Sequence, residues 1–307
     1  MSESRPARRA ISGVFLLDKA SGYSSNSSLQ KVKRLFRAQK AGHTGSLDPL
    51  ASGLLPICLG EATKLSSYWL NSDKRYEVRI RLGAETDTAD SEGSVTRTAP
   101  VPDLSEALIE TMLARFRGAI EQVPPMYSAL KHQGQRLYDL ARKGVEVERP
   151  ARPITIHALT LLGFDATTLT LDVRCSKGTY IRVLAEDIGR ALGCGGHVEM
   201  LRRTEVGEFG LDLSCTMDRL EELPEPERDA LLLPTDSLVL HLPAVKLNES
   251  MSVLVGRGNP LFVPQAPVSG WVRLYGRSAG FLGLGEVLDD GRIGPRRVLN
   301  LAGGVSP

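Results

Sequence analysis

The segment Gly42-His43-Thr44-Gly45-Ser46-Leu47-Asp48-Pro49-Leu50-Ala51-Ser52-Gly53 holds one carboxylate among residues suited to shaping a turn. Gly42, Gly45 and Gly53 can adopt positive φ without steric cost. Pro49 fixes its own φ and biases Asp48 toward an extended or turn conformation. An ordinary aspartate has a pKa of about 3.9 and is normally ionised at neutral pH. In that form it can act as a nucleophile, a general base or an electrostatic stabiliser. Asp48 has no acidic neighbour in sequence, which argues against the paired carboxylates of a glycosidase. The competing reading is a turn aspartate that caps the bend before Pro49.

Other residues offer recognition rather than bond chemistry. Tyr76 heads an alternating run, and a tyrosine can stack on an unpaired base for about 1–3 kcal/mol; a half-buried strand aromatic is the alternative. Ser176-Lys177-Gly178-Thr179-Tyr180-Ile181-Arg182 places Lys, Tyr and Arg around one glycine. Arg182 could pair in bidentate fashion with a carboxylate or phosphate, and Tyr180 could stack. Arg202 and Arg203 read as a solvated face. The loop from Gly83 to Gly93 carries Glu85, Asp87, Asp90 and Glu92 but lacks the spacing of a calcium loop, so it reads as a turn. Cys194 and His197 are spaced like half a zinc site without a second close pair.

The elements that must position these residues are visible in the periodicity. Val14–Leu17 reads as a strand ending in a turn. Leu29, Val32, Leu35 and Phe36 recur at helical spacing behind the capping candidates Ser24 to Ser28, giving a basic amphipathic helix that leads into the Asp48 loop. Leu54–Gly60 is an apolar element. Arg75–Leu82 alternates in period two and is a strand. Leu104–Phe116 and Leu137–Arg142 read as helices, Val123–Lys131 as irregular, Ile154–Phe164 and Thr168–Cys175 as strands, and Arg182–Leu192 as a helix. Gly193–Gly196 reads as its C-terminal loop, not a nucleotide fingerprint. After about His241, frequent glycines punctuate short alternating runs, which suggests a small all-β module. The fold class expected is α+β on a mostly antiparallel sheet, with a basic N-terminal tail (1–10), a catalytic domain (11–244) and a small C-terminal β-rich domain (245–307).

The 307 residues suffice for about two domains at ~100–200 residues each. No apolar run approaches the ~20 residues that span a bilayer, and the polar start does not read as a signal peptide, so the cytoplasm is the expected compartment. Cys58, Cys175, Cys194 and Cys215 are scattered and expected to be reduced and partly buried. From Arg5 to Lys40 nine basic residues face the single Asp18, whereas Asp218 to Asp229 holds six acids and two arginines. A basic flank beside a reactive loop suggests a polyanionic partner; a solvated helix face with a tail is the alternative.

Several long blocks, in order, resemble the TruB-type tRNA pseudouridine-55 synthases: Gly42–Lys64, Ser72–Gly83 followed by Thr86–Asp90, Pro124–Lys131, Ala151–Ile156, Cys175–Arg182 and Gly193–Thr204. One departure is Lys19-Ala20-Ser21-Gly22, where the family often has a proline after the lysine. The resemblance implies a pseudouridine-synthase catalytic domain followed by a PUA-like RNA-binding domain. It implies an isomerase that needs no cofactor and no metal and acts on a flipped-out uridine. By resemblance Asp48 is the nucleophile, with attack on the sugar or on the base both open. Tyr76, Tyr180, His43 and Leu201 contact or line the substrate, Arg182 pairs with and orients the catalytic aspartate, and Lys19 is retained as support. The partner implied is tRNA, through its T arm and, via the C-terminal domain, its acceptor stem; Arg273, Arg277, Arg292, Arg296 and Arg297 are candidates for phosphate contact. No membrane and no obligate protein partner are implied. A non-catalytic RNA-binding protein is the second reading, and a metal-dependent hydrolase built on the Asp87/Asp90 loop is the third.

Overall fold

The structure, a computed structural model, describes residues 7–128 and 130–300. Residues 1–6 of the expected basic tail, Ala129, and residues 301–307 of the expected C-terminal domain lie outside the described residues.

Strand β1 (Gly13–Lys19) carries Val14 to Leu17, each at most 2% exposed, as in a strand covered on both faces. Ser24 caps α1 (Ser25–Leu35), its hydroxyl accepting from the Ser27 N–H. Then follow β2 (Ala41–His43), β3 (Ser52–Leu59) and α2 (Ser66–Leu70). In β4 (Lys74–Leu82) every second side chain is buried, from Lys74 through Tyr76 to Leu82. The acidic loop after it holds a short hairpin, β5 (Ala84–Thr86) with β6 (Val95–Thr98). The run after Leu104 forms α3 (Glu106–Leu113), capped by Ser105 and ending in a 3-10 turn. Next come β7 (Gly118–Gln122), the small hairpin β8 (Lys131–His132) and β9 (Gln135–Arg136), α4 (Leu137–Ala141), β10 (Arg152–Phe164) and β11 (Thr168–Cys175). Helix α5 (Ile181–Ala191), β12 (Gly196–Val206), β13 (Phe209–Gly210), β14 (Cys215–Thr216), α6 (Met217–Glu222) and α7 (Glu225–Ala230) follow. The C-terminal module contains β15 (Ala244–Leu247), α8 (Glu249–Gly256), β16 (Trp271–Gly276), β17 (Gly280–Val287) and β18 (Ile293–Val298). It is therefore β-rich but not all-β, because Asn248 caps a helix inside it.

The chain divides into two compact units. One comprises the residues up to Asp48, Leu55–Leu70 and everything from Asp212; the other comprises Pro49–Leu54 and Asn71–Leu211. In the first, β1 pairs with β14 in parallel and β2 pairs antiparallel with Ile57 to Leu59 of β3. Phe15 and Phe36 meet at 5.5 Å between ring centroids. The C-terminal module orders its sheet β15-β16-β17-β18 around a core that includes Val245, Val255, Val272, Leu274 and Ile293. In the second unit β7, β10, β11, β4, β12 and β13 pair antiparallel in that order, and β12 also pairs in parallel with Ser52 and Gly53 of β3. The large sheet is mostly antiparallel, as the alternating runs implied.

Three basic residues of the N-terminal flank are matched inside the first unit. Arg9 pairs with Asp229, Lys31 with Glu221 at 2.8 Å, and Arg37 with Glu225. The acidic stretch and the basic flank, separate features of the sequence, are thus partly one ion-pair network. All four cysteines are free thiols and three are buried. Burial pushes Cys58 up to about 12 and Cys175 up to about 11, which keeps both protonated. No helix among the described residues is long and apolar enough to cross a membrane.

Candidate active site

In the first unit the Asp48 loop is held from both sides. β2 ends at His43, opposite Ile57, and the Thr44 N–H donates to the Pro56 carbonyl at 3.2 Å. Gly45 has φ +125°, in the region that favours glycine, whereas Gly42 lies in extended β2 and needs no such freedom. Immediately before Asp48, the Ser25 hydroxyl donates to the Leu47 carbonyl at 2.8 Å and accepts from the Leu47 N–H at 2.7 Å. Ser25 is the first residue of α1, so the helix start fixes the backbone next to the carboxylate. Asp48 itself is half-buried. Lys19 is buried at the end of β1, and its ammonium donates to the carbonyls of Ala20 at 2.9 Å and Tyr23 at 2.7 Å. The lysine thereby closes the turn that lacks the expected proline.

In the second unit Tyr76 and Leu201 lie on adjacent strands. Leu201 is opposite Val78 and Arg203 is opposite Tyr76 in the β12–β4 register. Both Tyr76 and Leu201 are buried, at 9% and 6% exposed. Arg203 is 1% exposed, so the solvated-face reading of the arginine pair fails for it. Its Nε donates to the Leu54 carbonyl at 2.7 Å, which braces the strand leaving the loop. Gly53, at φ +99°, lies so close to Arg203 that a Cβ there would stand 2.2 Å from the Arg203 carbonyl oxygen. Lys74 faces the same buried side as Tyr76. Burial, reinforced by the Arg203 charge, lowers its pKa to about 8.

Tyr180 is the N-cap residue of α5 and Arg182 lies in the first turn. Arg182 is 6% exposed and its guanidinium is heavily engaged. It donates to the Thr88 and Tyr127 carbonyls, each at 2.8 Å, and stands 3.6 Å from the Asp90 carboxylate. Asp90 is itself 3% exposed; its Oδ1 accepts from the Thr88 hydroxyl at 2.6 Å and from the Glu92 N–H at 3.1 Å. The acidic loop is therefore a cradle for Arg182. Among the described residues no group of three or more His, Cys, Asp or Glu side chains is placed to hold a metal ion. His197 instead meets the Ala84 carbonyl at 2.9 Å.

Sequence reasoning gave Ser25 only as one of several capping candidates and Asp90 only as a turn acid or part of a metal-binding loop, and it did not single out Gln122. For Ser25 a signal existed, since a serine at a helix start has a hydroxyl available to bond; for Asp90 it was the acid embedded among threonines.

Within the C-terminal module, Arg273 donates to the Leu242 carbonyl and the Tyr275 hydroxyl, each at 2.8 Å. Arg292 pairs with Asp290 and Arg296 with Glu286, while Arg277 and Arg297 are exposed.

Against known proteins, the N-terminal domain profile of TruB family pseudouridylate synthases matches residues 33–181. Profiles for the tRNA pseudouridylate synthase B C-terminal domain and the pseudouridine synthase II TruB C-terminal region match residues 182–240 and 243–299. The tRNA pseudouridine synthase B of Nitrosococcus oceani is 54% identical, covering 94% of this chain and 95% of its own. That of Coxiella burnetii is 51% identical, covering 95% and 96%. Among solved structures, a Cbf5-Nop10-Gar1 complex aligns with TM-score 0.70 and 26% identity over 93% of this chain and 84% of the other. An H/ACA RNP bound to a substrate RNA containing 2'-deoxyuridine shares the fold, with TM-score 0.69 and 24% identity over 94% and 85%. By near full-length identity and by profiles matched along most of its length, the chain belongs to the TruB family of pseudouridylate synthases.

Proposed function

We propose that this protein converts the uridine at position 55 in the T loop of tRNA to pseudouridine, with Asp48 as nucleophile on a flipped-out base. The observation that carries the reading is the 54% identity, over 94% of the chain, to a protein named tRNA pseudouridine synthase B. The chemistry is an isomerisation. The bond from uracil N1 to the ribose C1′ breaks, the base turns, C5 bonds to C1′, and the proton on C5 leaves while N1 gains one. Oxidation state is unchanged, so the chain's own groups suffice. Asp48 supplies a carboxyl oxygen on a backbone pinned at Leu47. Tyr76 and Tyr180 supply aromatic faces for a base removed from its stack, Leu201 an apolar wall, and Arg182 a fixed positive charge. His43 holds the flipped conformation and Lys19 keeps its turn closed. The C-terminal module carries the acceptor stem, with Arg277 and Arg297 as its exposed phosphate contacts.

The test is release of tritium from tRNA labelled at uracil C5. Wild-type protein releases label and Asp48→Asn does not, while the variant still binds tRNA. Binding without release by the wild type would make this a non-catalytic RNA-binding protein. Equal release from a T-arm stem-loop and from whole tRNA would remove the acceptor stem from the reading.

A further inference from the structure

Gln122 is the last residue of β7 and is 4% exposed. Its side-chain amide lies against the main chain of Tyr180, fifty-eight residues later. Nε2 donates to the Tyr180 carbonyl at 3.1 Å, and Oε1 accepts from the Tyr180 N–H at 2.8 Å. The two bonds come from two different atoms of one planar primary amide, its NH2 donating and its oxygen accepting. The Tyr180 carbonyl also accepts from the Leu184 N–H, the first hydrogen bond of α5. Tyr180 has no capping oxygen of its own. Gln122 therefore takes over from a side-chain cap in fixing where the helix begins.

The same connection grips the helix a second time. Tyr127, a few residues beyond Gln122, offers the carbonyl that Arg182 binds at 2.8 Å. Residues 122 to 127 thus hold both ends of the Tyr180–Arg182 turn, one through a side-chain amide and the other through a backbone oxygen.

We propose that Gln122 is a positioning residue for the reaction: its amide sets the Tyr180 backbone, and with it the direction of the Tyr180 ring and the register of Arg182. This rests on the function proposed above. Gln122 has no part in bond making. Misplacing a contact group by about 1 Å can cost on the order of a hundredfold in rate.

The experiment measures single-turnover tritium release from tRNA, together with tRNA affinity, for the wild type, Gln122→Leu and Gln122→Glu. Gln122→Leu keeps most of the volume and loses both hydrogen bonds. It lowers the rate about 10–100-fold with affinity within about threefold of wild type. Gln122→Glu carries a distinctive signature. As a carboxylate it accepts from the Tyr180 N–H but repels the Tyr180 carbonyl; protonated, it restores both bonds. Burial disfavours its charged form, so its rate relative to wild type recovers as the pH is lowered from mildly alkaline to mildly acid values. A defect of packing alone has no such dependence. A Gln122→Leu rate within about twofold of wild type, or a Gln122→Glu ratio that stays flat across that range, overturns the proposal. If Gln122→Leu does not fold, the Gln122→Glu ratio decides. Absence of product from the wild type would instead remove the function itself and this inference with it.

Discussion

The Ser25 hydroxyl satisfies both backbone polar groups of Leu47, one as acceptor at 2.8 Å and the other as donor at 2.7 Å. A single side-chain oxygen thus does for Leu47 what a neighbouring strand would do. Ser25→Ala leaves a buried N–H and a buried carbonyl unpaired, at a cost of about 1–3 kcal/mol. Urea denaturation measures the loss, and single-turnover rate should fall with it as the carboxylate next in the chain loosens. A stability change under about 0.5 kcal/mol would show that Leu47 finds other partners.

Arg182 and Asp90 are both nearly fully buried, so neither tolerates the loss of the other. Asp90→Ala takes the carboxylate from beside the buried guanidinium, which keeps the Thr88 and Tyr127 carbonyls, and should destabilise the fold by about 1–3 kcal/mol. Asp90→Asn retains an oxygen for the Thr88 hydroxyl and the Glu92 N–H and should cost less. Equal unfolding midpoints for the two variants would count against the hydrogen bonds and leave only the charge.

Gly53→Ala combines a left-handed φ with a Cβ 2.2 Å from the Arg203 carbonyl oxygen. The strand must move, since the obstruction is backbone rather than a flexible side chain. A loss of at least about 2 kcal/mol is expected. Gly42→Ala, in extended backbone, is the control and should cost about 0.5 kcal/mol or less in equilibrium unfolding.

Lys74 gives the fold a signed response to pH. Its pKa falls from 10.5 to about 8, first by burial and then by the Arg203 charge. Below about 8 both folded and unfolded chains carry the proton and the full burial penalty applies. Between about 8 and 10.5 the unfolded chain binds more protons, so this residue's contribution to stability rises with pH. Lys74→Met should flatten that rise when unfolding free energy is followed across the window. An unchanged pH slope would mean that the proton is held in both states.

The legible parts of the fold were local. The period-two run of β4, the Ser24 cap of α1 and the glycine–proline shape of the Asp48 loop all follow from neighbours in sequence. What the sequence hid depends on distant partners. Arg203 looked like one half of a solvated pair, because nothing nearby announces that Leu54 and Gly53 will pack on it. Strand β12 was hidden because Glu199, Arg202 and Arg203 interrupt its apolar alternation. Asp90 read as a turn acid because its cation lies on α5. Gln122 carried no signal at all, since a glutamine at a strand end is ordinary until its amide meets Tyr180. Asp48 stood out as the one carboxylate in a run of turn residues, a pattern that suits a turn aspartate as well as a nucleophile.

The ion pairs of Arg9, Lys31 and Arg37 with Asp229, Glu221 and Glu225 bear on how salt acts on RNA binding. A cation already matched by a carboxylate has little counterion-displacing power left for a phosphate. A basic count taken from the sequence therefore overstates the steepness with which affinity falls as ionic strength rises, by up to about three phosphate equivalents in this flank. The same salt that weakens RNA binding also loosens the internal network, so charge-reversal of Glu221 or Glu225 would release cations to the RNA and steepen the salt slope while weakening the fold.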